Sequence, residues 1–266
     1  MQYTLNIKGK LRSLEQPQVM GILNATPDSF YSDSRKQSEQ EIADRARQII
    51  AEGGTIIDIG ACSTRPGAAP VDEQEETRRL RTALGVLRNM KELQTVPISV
   101  DTFRPDVARM AVEEYGADII NDVSEGSEAM FRMTARLGTP YILMSVQPDL
   151  RTTLLAFAKK VQQLRDFGQK DIILDPGFGF GKTTEQNFML MGEMEKLQVM
   201  ELPLLVGISR KSMIYKTLDC TPAEALNGTT VLNTIALTKG ASILRVHDVK
   251  EAVECCRLTS HLILNS

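Results

Sequence analysis

Histidine occurs only twice in the 266 residues, which excludes a metal centre built on histidine ligands. Cysteine occurs four times, at Cys62, Cys220, Cys255 and Cys256, and none of them forms a C-x-x-C pair. Reduced thiols in a cytoplasmic protein are therefore expected. A basic excess is missing too: the formal charge is −3, so no nucleic-acid partner is expected. No apolar run approaches the roughly 18 residues that a membrane helix needs, so no membrane partner is expected either. The N-terminal MQYTLNIKGKLRS has no apolar core, and no secretory signal is expected from it. No low-complexity run or linker divides the chain. Its length and its hydrophobic share of 42% suit one domain, 1–266, with a sizeable core.

What the sequence does have is alternation. Short apolar, β-branched runs at 18–24, 55–60, 97–102, 118–123, 140–146, 171–177, 203–209 and 242–248 predict eight strands. Segments of helical period lie between them, at 38–52, 72–93, 104–115, 151–167, 185–199, 222–239 and 249–264, with a weaker and shorter one after the fourth strand. Glycines such as Gly116 and Gly138 stand just before strands, where a helix ends, and Pro105 and Pro222 stand near helix starts. Strands that are nearly all apolar are covered on both faces. Eight such repeats predict an α/β fold, a (β/α)₈ TIM barrel whose barrel proper covers about 18–266. An open doubly wound sheet is the alternative. Residues 1–17 precede the first barrel strand and are read as a small hairpin at the barrel floor.

The strand interiors are apolar, but their C-terminal ends carry Asn24, Asp101, Asn121 with Asp122, Asp175, the run Ser209-Arg210-Lys211-Ser212, and Arg245 with His247. In a barrel these ends converge on one rim, where active sites of this architecture lie. The cations Lys211 and Arg245, with Arg65, suit phosphate or pyrophosphate. Buried carboxylates and amides suit a flat heterocycle, whose donor–acceptor edge they can read. Two motifs fail. PGFGFGKT (176–183) has Pro176 where a P-loop needs glycine, so it is read as a flexible glycine loop and not as a nucleotide site. His247 and Asp248 are adjacent on a strand and point to opposite faces, so Asp248 does not orient His247. Two long polar loops, 25–35 and 61–70, rise from the same rim and have the composition of lids.

MGILNATPDSF (20–30), DIGACSTRPGA (58–68), SVDTFRPDVA (99–108), INDVS (120–124), LDPGFGFGKT (174–183), GISRKS (207–212) and LRVHDV (244–249) together resemble the dihydropteroate synthases, a pterin-binding TIM-barrel family. The resemblance spans nearly the whole chain in the family's order. It implies condensation of 6-hydroxymethyl-7,8-dihydropterin pyrophosphate with para-aminobenzoate, an SN1-like step of folate biosynthesis, with Mg²⁺ as cofactor and a homodimer as the assembly. It assigns the pterin to Asp101, Asn121, Met144, Asp175, Phe180, Gly207, Lys211 and Arg245. It assigns the pyrophosphate to Asn24, Thr64, Arg65, Arg245 and His247, with Asn24 also the Mg²⁺ ligand. Para-aminobenzoate falls to Phe30, Thr64, Pro66, Lys211 and Ser212, and catalysis to Asp101, Lys211, Arg245 and His247. Arg245 is thereby placed with Asn24 and His247 on the phosphate side of the site.

The chain departs from the family pattern beside these positions. Ala25 stands where valine is common, FYSDSR replaces a run with two glycines, Ala61 replaces a glycine, and Cys62 stands where glutamate is frequent. MSVQPD replaces a histidine-containing run after the fifth strand. A pterin-binding module of the methyltetrahydrofolate-dependent methyltransferase type is the alternative. Such a module lacks counterparts of Ser63-Thr64-Arg65-Pro66 and Ser209-Arg210-Lys211-Ser212, and both runs are present here.

Overall fold

A computed structural model describes residues 3–25, 35–62 and 71–264. Eight parallel strands close into a barrel: β3 (Gln18–Asn24), β4 (Ile56–Gly60), β5 (Ile98–Asp101), β6 (Ile119–Asp122), β7 (Tyr141–Met144), β8 (Ile172–Asp175), β9 (Leu204–Val206) and β10 (Ala241–Val246), with β10 pairing back onto β3. Every expected strand is present, and the open sheet is excluded by that closure. The helices between them are α1 (Arg35–Ala51), α2 (Glu73–Arg88), α3 (Pro105–Tyr115), α4 (Glu128–Leu137), α5 (Leu150–Asp166), α6 (Thr184–Gly192), the short α7 (Ser212–Tyr215), α8 (Leu226–Thr238) and α9 (Val249–Leu264).

Local chemistry sets the helix ends. Ser127 accepts a hydrogen bond from Met130 N and starts α4; Gly138, at φ +66°, ends it. The segment that looked weak after the fourth strand is thus a full helix. Pro105 occupies the first turn of α3, and Gly116 closes it at φ +70°. The expected helices at 72–93 and 185–199 are each shorter, followed by 3₁₀ turns at Lys91–Leu93 and Met194–Met200, and that at 222–239 begins with a 3₁₀ turn at Pro222–Glu224.

Residues before the barrel do form a hairpin, β1 (Thr4–Ile7) with β2 (Lys10–Ser13), antiparallel. Its Leu5 and Ile7, with Leu14, pack onto the lowest inward tier of the barrel: Met20, Ile56, Ile119, Ile142, Ile173, Leu205 and Ile243. Lys8 Nζ lies 2.6 Å from Asp118, and Asn6 N donates to Asp171 Oδ1 at 3.0 Å. Both carboxylates lie just before strands, so the hairpin plugs the floor. The opposite end is left to the loops that follow the strands.

Candidate active site

Strand side chains alternate with a period of two. Two residues above the apolar tier, the same inward positions carry Ile22, Asp58, Asp101, Asn121, Met144, Asp175, Gly207 and Arg245. The chain thus lays an apolar tier and, one step higher, a tier rich in charge. Arg245 organises it. Its Nε is 2.6 Å from Asp58 Oδ2 and its Nη2 is 2.7 Å from Asp101 Oδ2. Asn121 Nδ2 donates to Asp58 Oδ2 at 3.2 Å. Asp58 is fully buried.

Charge is costly at this depth, and the groups respond to it. Desolvation pushes the Asp101 carboxyl up; Arg245 opposes this and Asp58 adds to it. Desolvation also raises Asp175, against the pull of Lys211. Desolvation works against the Arg245 cation, but Asp58 and Asp101 outweigh it and hold the guanidinium charged. The Lys211 ammonium is brought down to about 8, first by desolvation, with Asp175 working the other way.

The rim continues above this tier. Asp175 Oδ1 accepts from Gly177 N at 2.8 Å, so the carboxylate is fixed by the loop that follows it. Lys211 Nζ donates to Phe178 O and lies 4.3 Å from the centre of the Phe180 ring. Lys211 is the cap residue of α7, and Ser212 is that helix's first residue. The neighbouring Arg210 anchors this turn at φ +54°: its Nε and Nη2 each reach Asp248 at 2.9 Å, and its N donates to Thr229 Oγ1. His247 and Asp248 lie just beyond the end of β10, and the Asp248 carboxylate is committed to Arg210. His247 N donates to Ser209 Oγ at 3.2 Å, and Arg45 Nη2 donates to His247 O at 2.7 Å. Asn24 ends β3 and is exposed. Gly207 stands beside the Arg245 stem, where a Cβ would reach Arg245 Cβ at 3.8 Å.

The arrangement can bind a planar, hydrogen-bonding heterocycle over a charged floor and present cations above it. The family described as pterin binding enzyme matches residues 20–247. The dihydropteroate synthase of Escherichia coli (strain K12) is 39% identical over 267 residues, covering 94% of this chain and 93% of that protein. The chain belongs to the dihydropteroate synthases. That of Bacillus subtilis (strain 168) is 36% identical over 260 residues, covering 94% and 90%. Among solved structures, Xanthomonas albilineans dihydropteroate synthase with 4-aminobenzoic acid matches with a TM-score of 0.89 and 31% identity, covering 98% of both chains. The Yersinia pestis enzyme in complex with a sulfonamide drug matches with a TM-score of 0.88 and 36% identity, covering 99% of this chain and 100% of that one.

Of the residues that the resemblance assigned, the structure brings Asp101, Asn121, Met144, Asp175, Gly207 and Arg245 into one tier, with Phe180, Lys211, Ser212, His247 and Asn24 at or above it. Phe30, Thr64, Arg65 and Pro66 lie outside the described residues, as do most of the loops 25–35 and 61–70. Arg245, placed by the resemblance with both the pterin and the pyrophosphate, has its guanidinium engaged by two carboxylates of this tier, Asp58 and Asp101. Asp122, at the same strand end, has the opposite parity and points outward, where Tyr141 Oη donates to it at 2.7 Å. Asp58 belongs to this synthase's floor and was missed, because it lies in mid-strand rather than at a strand end. Its two-residue spacing from inward Ile56 was the signal for it.

Proposed function

We propose that the rim joins 6-hydroxymethyl-7,8-dihydropterin pyrophosphate to para-aminobenzoate, giving 7,8-dihydropteroate and pyrophosphate. The bond broken is C–O at the pterin methylene, and the bond formed is C–N. The observation that carries this reading is the polar tier itself. A pterin edge offers donors and acceptors in a plane, and Asp101, Asn121 and Asp175 converge as its readers. Buried Asn121 Oδ1 has no partner among the described residues, an acceptor that such an edge can satisfy. Met144 and Phe180 pack on the ring. Arg245, held between two carboxylates, offers its plane for stacking and its field to the phosphates. Asn24 and His247, with Thr64 and Arg65, hold the pyrophosphate. Phe30, Thr64, Pro66, Lys211 and Ser212 frame the aminobenzoate.

A neutral arylamine is a weak nucleophile, so departure of pyrophosphate carries the barrier. The cations of the rim favour that departure, and Asp101 or Asp175 beneath the ring favours the pterin cation that forms. The amine loses its proton after attack, so no general base and no covalent nucleophile are needed.

Mg²⁺ is part of the reading. Among the described residues no cluster of three or more His, Cys, Asp or Glu could hold a metal. Asn24 offers one exposed hard oxygen donor, which fits an ion carried mainly by pyrophosphate and water. When bound, the ion neutralises charge on the leaving group.

Pure protein mixed with both substrates is expected to release pyrophosphate only when Mg²⁺ and para-aminobenzoate are both present. No release under any metal condition would sink the synthase reading and favour a pterin-binding module. The free thiols and the lack of a membrane-crossing helix among the described residues fit a cytoplasmic enzyme. We place a second copy of the chain against α8 and α9, which leave Val231, Leu258 and Leu262 exposed. Light scattering is expected to give twice the chain's 29.5 kDa, and a monomer at micromolar concentration would remove that assembly.

A further inference from the structure

We infer that Lys182, the lysine of the GFGFGK run, is a positioning residue that sets the place and the charge of the Lys211 ammonium. The run was read as a flexible loop, yet it is tied down from inside. Lys182 Nζ donates to Ser145 O at 3.0 Å, Gly177 O at 3.1 Å and Phe180 O at 3.3 Å. An ammonium has three donors, and all three are spent on main-chain carbonyls. Ser145 directly follows β7, and Gly177 and Phe180 follow β8. The side chain thus clamps the glycine loop to the exit of the neighbouring strand. The fit is close: at Gly177, with φ +69°, a Cβ would stand 2.1 Å from Ser145 O. Asn187 fixes the middle of the loop by accepting from Gly179 N at 2.7 Å.

The side-chain contacts that hold the Lys211 ammonium belong to this loop. Its ammonium bonds Phe178 O and covers the Phe180 ring, and its Cδ lies where a Cβ on Gly179 would come within 2.8 Å. A loop released by loss of Lys182 carries Lys211 with it. Lys182 also acts through its charge. The groups that face Lys211 are Asp175 from β8, Arg245 from β10, Lys182 from the loop and Asp101 from β5. The carboxylates favour the Lys211 proton, and the two cations oppose it. Below about pH 8, to which desolvation brings the Lys182 ammonium as well, this second cation is held under the loop by its three carbonyls.

This inference rests on the reading of Lys211 as a group the condensation needs in its ammonium form. The test is the pH profile of kcat/KM for the pterin substrate in Lys182→Met and Lys182→Gln, beside wild type and Lys211→Arg. Wild type is expected to lose kcat/KM as pH rises through about 8, where burial brings both the Lys211 and the Lys182 ammonium down. Lys211→Arg removes the Lys211 part of that limb, because a guanidinium holds its proton there, and leaves the Lys182 part. In the Lys182 variants the limb is expected to move upward by ~0.5 in pH or more, since a like charge has been removed. A limb that stays put in whichever variant folds overturns the inference, however far the rate falls. A residue that serves the fold alone changes the height of the profile and not its position. If neither variant melts cooperatively, Lys182 is only a folding element and the inference is likewise overturned. A wild-type profile without the limb overturns the reading of Lys211 instead, and the inference with it.

Discussion

Arg245→Met is expected to abolish measurable turnover and to lower folding stability by about 3–5 kcal/mol, the cost of breaking a buried ion pair by removing one partner. The magnitude follows from what stays behind. Asp58 is 0% exposed, and its Oδ2 takes both the guanidinium and the Asn121 amide, while its Oδ1 has no partner among the described residues. Asp101 loses its cation in the same step. Methionine fills the volume but leaves two desolvated carboxylates without the cation they shared. Urea unfolding followed by circular dichroism measures the loss. A variant within ~1 kcal/mol of wild type would mean that this triad is not desolvated as described. The double variant Asp58→Leu with Arg245→Met separates stability from chemistry. Removing these two charges restores part of the stability, since a buried pair replaced by apolar groups is often neutral or better, while Asp101 still lacks its cation. Activity does not return, because the pterin floor has gone. Asp101→Asn keeps the shape and removes one charge; its turnover is expected to fall at least about tenfold, a loss of ~1.4 kcal/mol of transition-state stabilisation.

The triad also marks where sequence reasoning stops. Strand existence and order were legible, because an apolar run of five or six residues between glycines and helical segments has few other uses. The hairpin was legible as little more than a guess, although Leu5 and Ile7 already show the alternation of a strand with one covered face. Asp101 and Asp175 were found because they lie last in their strands, and Asn121 because it lies next to last. Asp58 lies third in β4 with apolar neighbours on both sides, and only inward–outward parity reveals it. The partner of Arg245 lies 187 residues away, so no local pattern could show that its guanidinium belongs to the floor. Asp122 shows the converse: being at a strand end does not bring a residue into the site if its parity is wrong. The glycine run was misjudged for the same physical reason. Glycines at three alternate positions, 177, 179 and 181, suggest freedom, but Lys182, Asn187 and Asp175 together hold the main chain of the loop by hydrogen bonds, and these contacts form only once the barrel has closed.

The second large effect is expected at Lys211, where alanine should cut turnover by at least about tenfold, again ~1.4 kcal/mol or more. Among the cations described at the rim its position differs from the others. Arg245 is engaged by two carboxylates, and Lys182 has given its donors to carbonyls. Lys211 gives one hydrogen bond, to Phe178 O, and lies over an aromatic face, so it retains donors for a ligand. The sign of its pH dependence follows from the same surroundings. Desolvation brings the ammonium down to about 8, so the charged form is present below that pH and is lost as pH rises through it. Wild-type kcat/KM should therefore fall on the alkaline side, and Lys211→Ala should be low and flat across the same interval. Steady-state pyrophosphate release, measured with each substrate varied in turn, distinguishes the two ways such a loss could arise. An ammonium that only binds the pterin would raise the pterin KM and leave kcat untouched. One that stabilises charge as pyrophosphate leaves lowers kcat at saturation, and this is the expected result, because the Lys211 ammonium faces Asp175 and keeps donors unspent on the protein. Near wild-type kcat in Lys211→Ala would remove the residue from the chemical step.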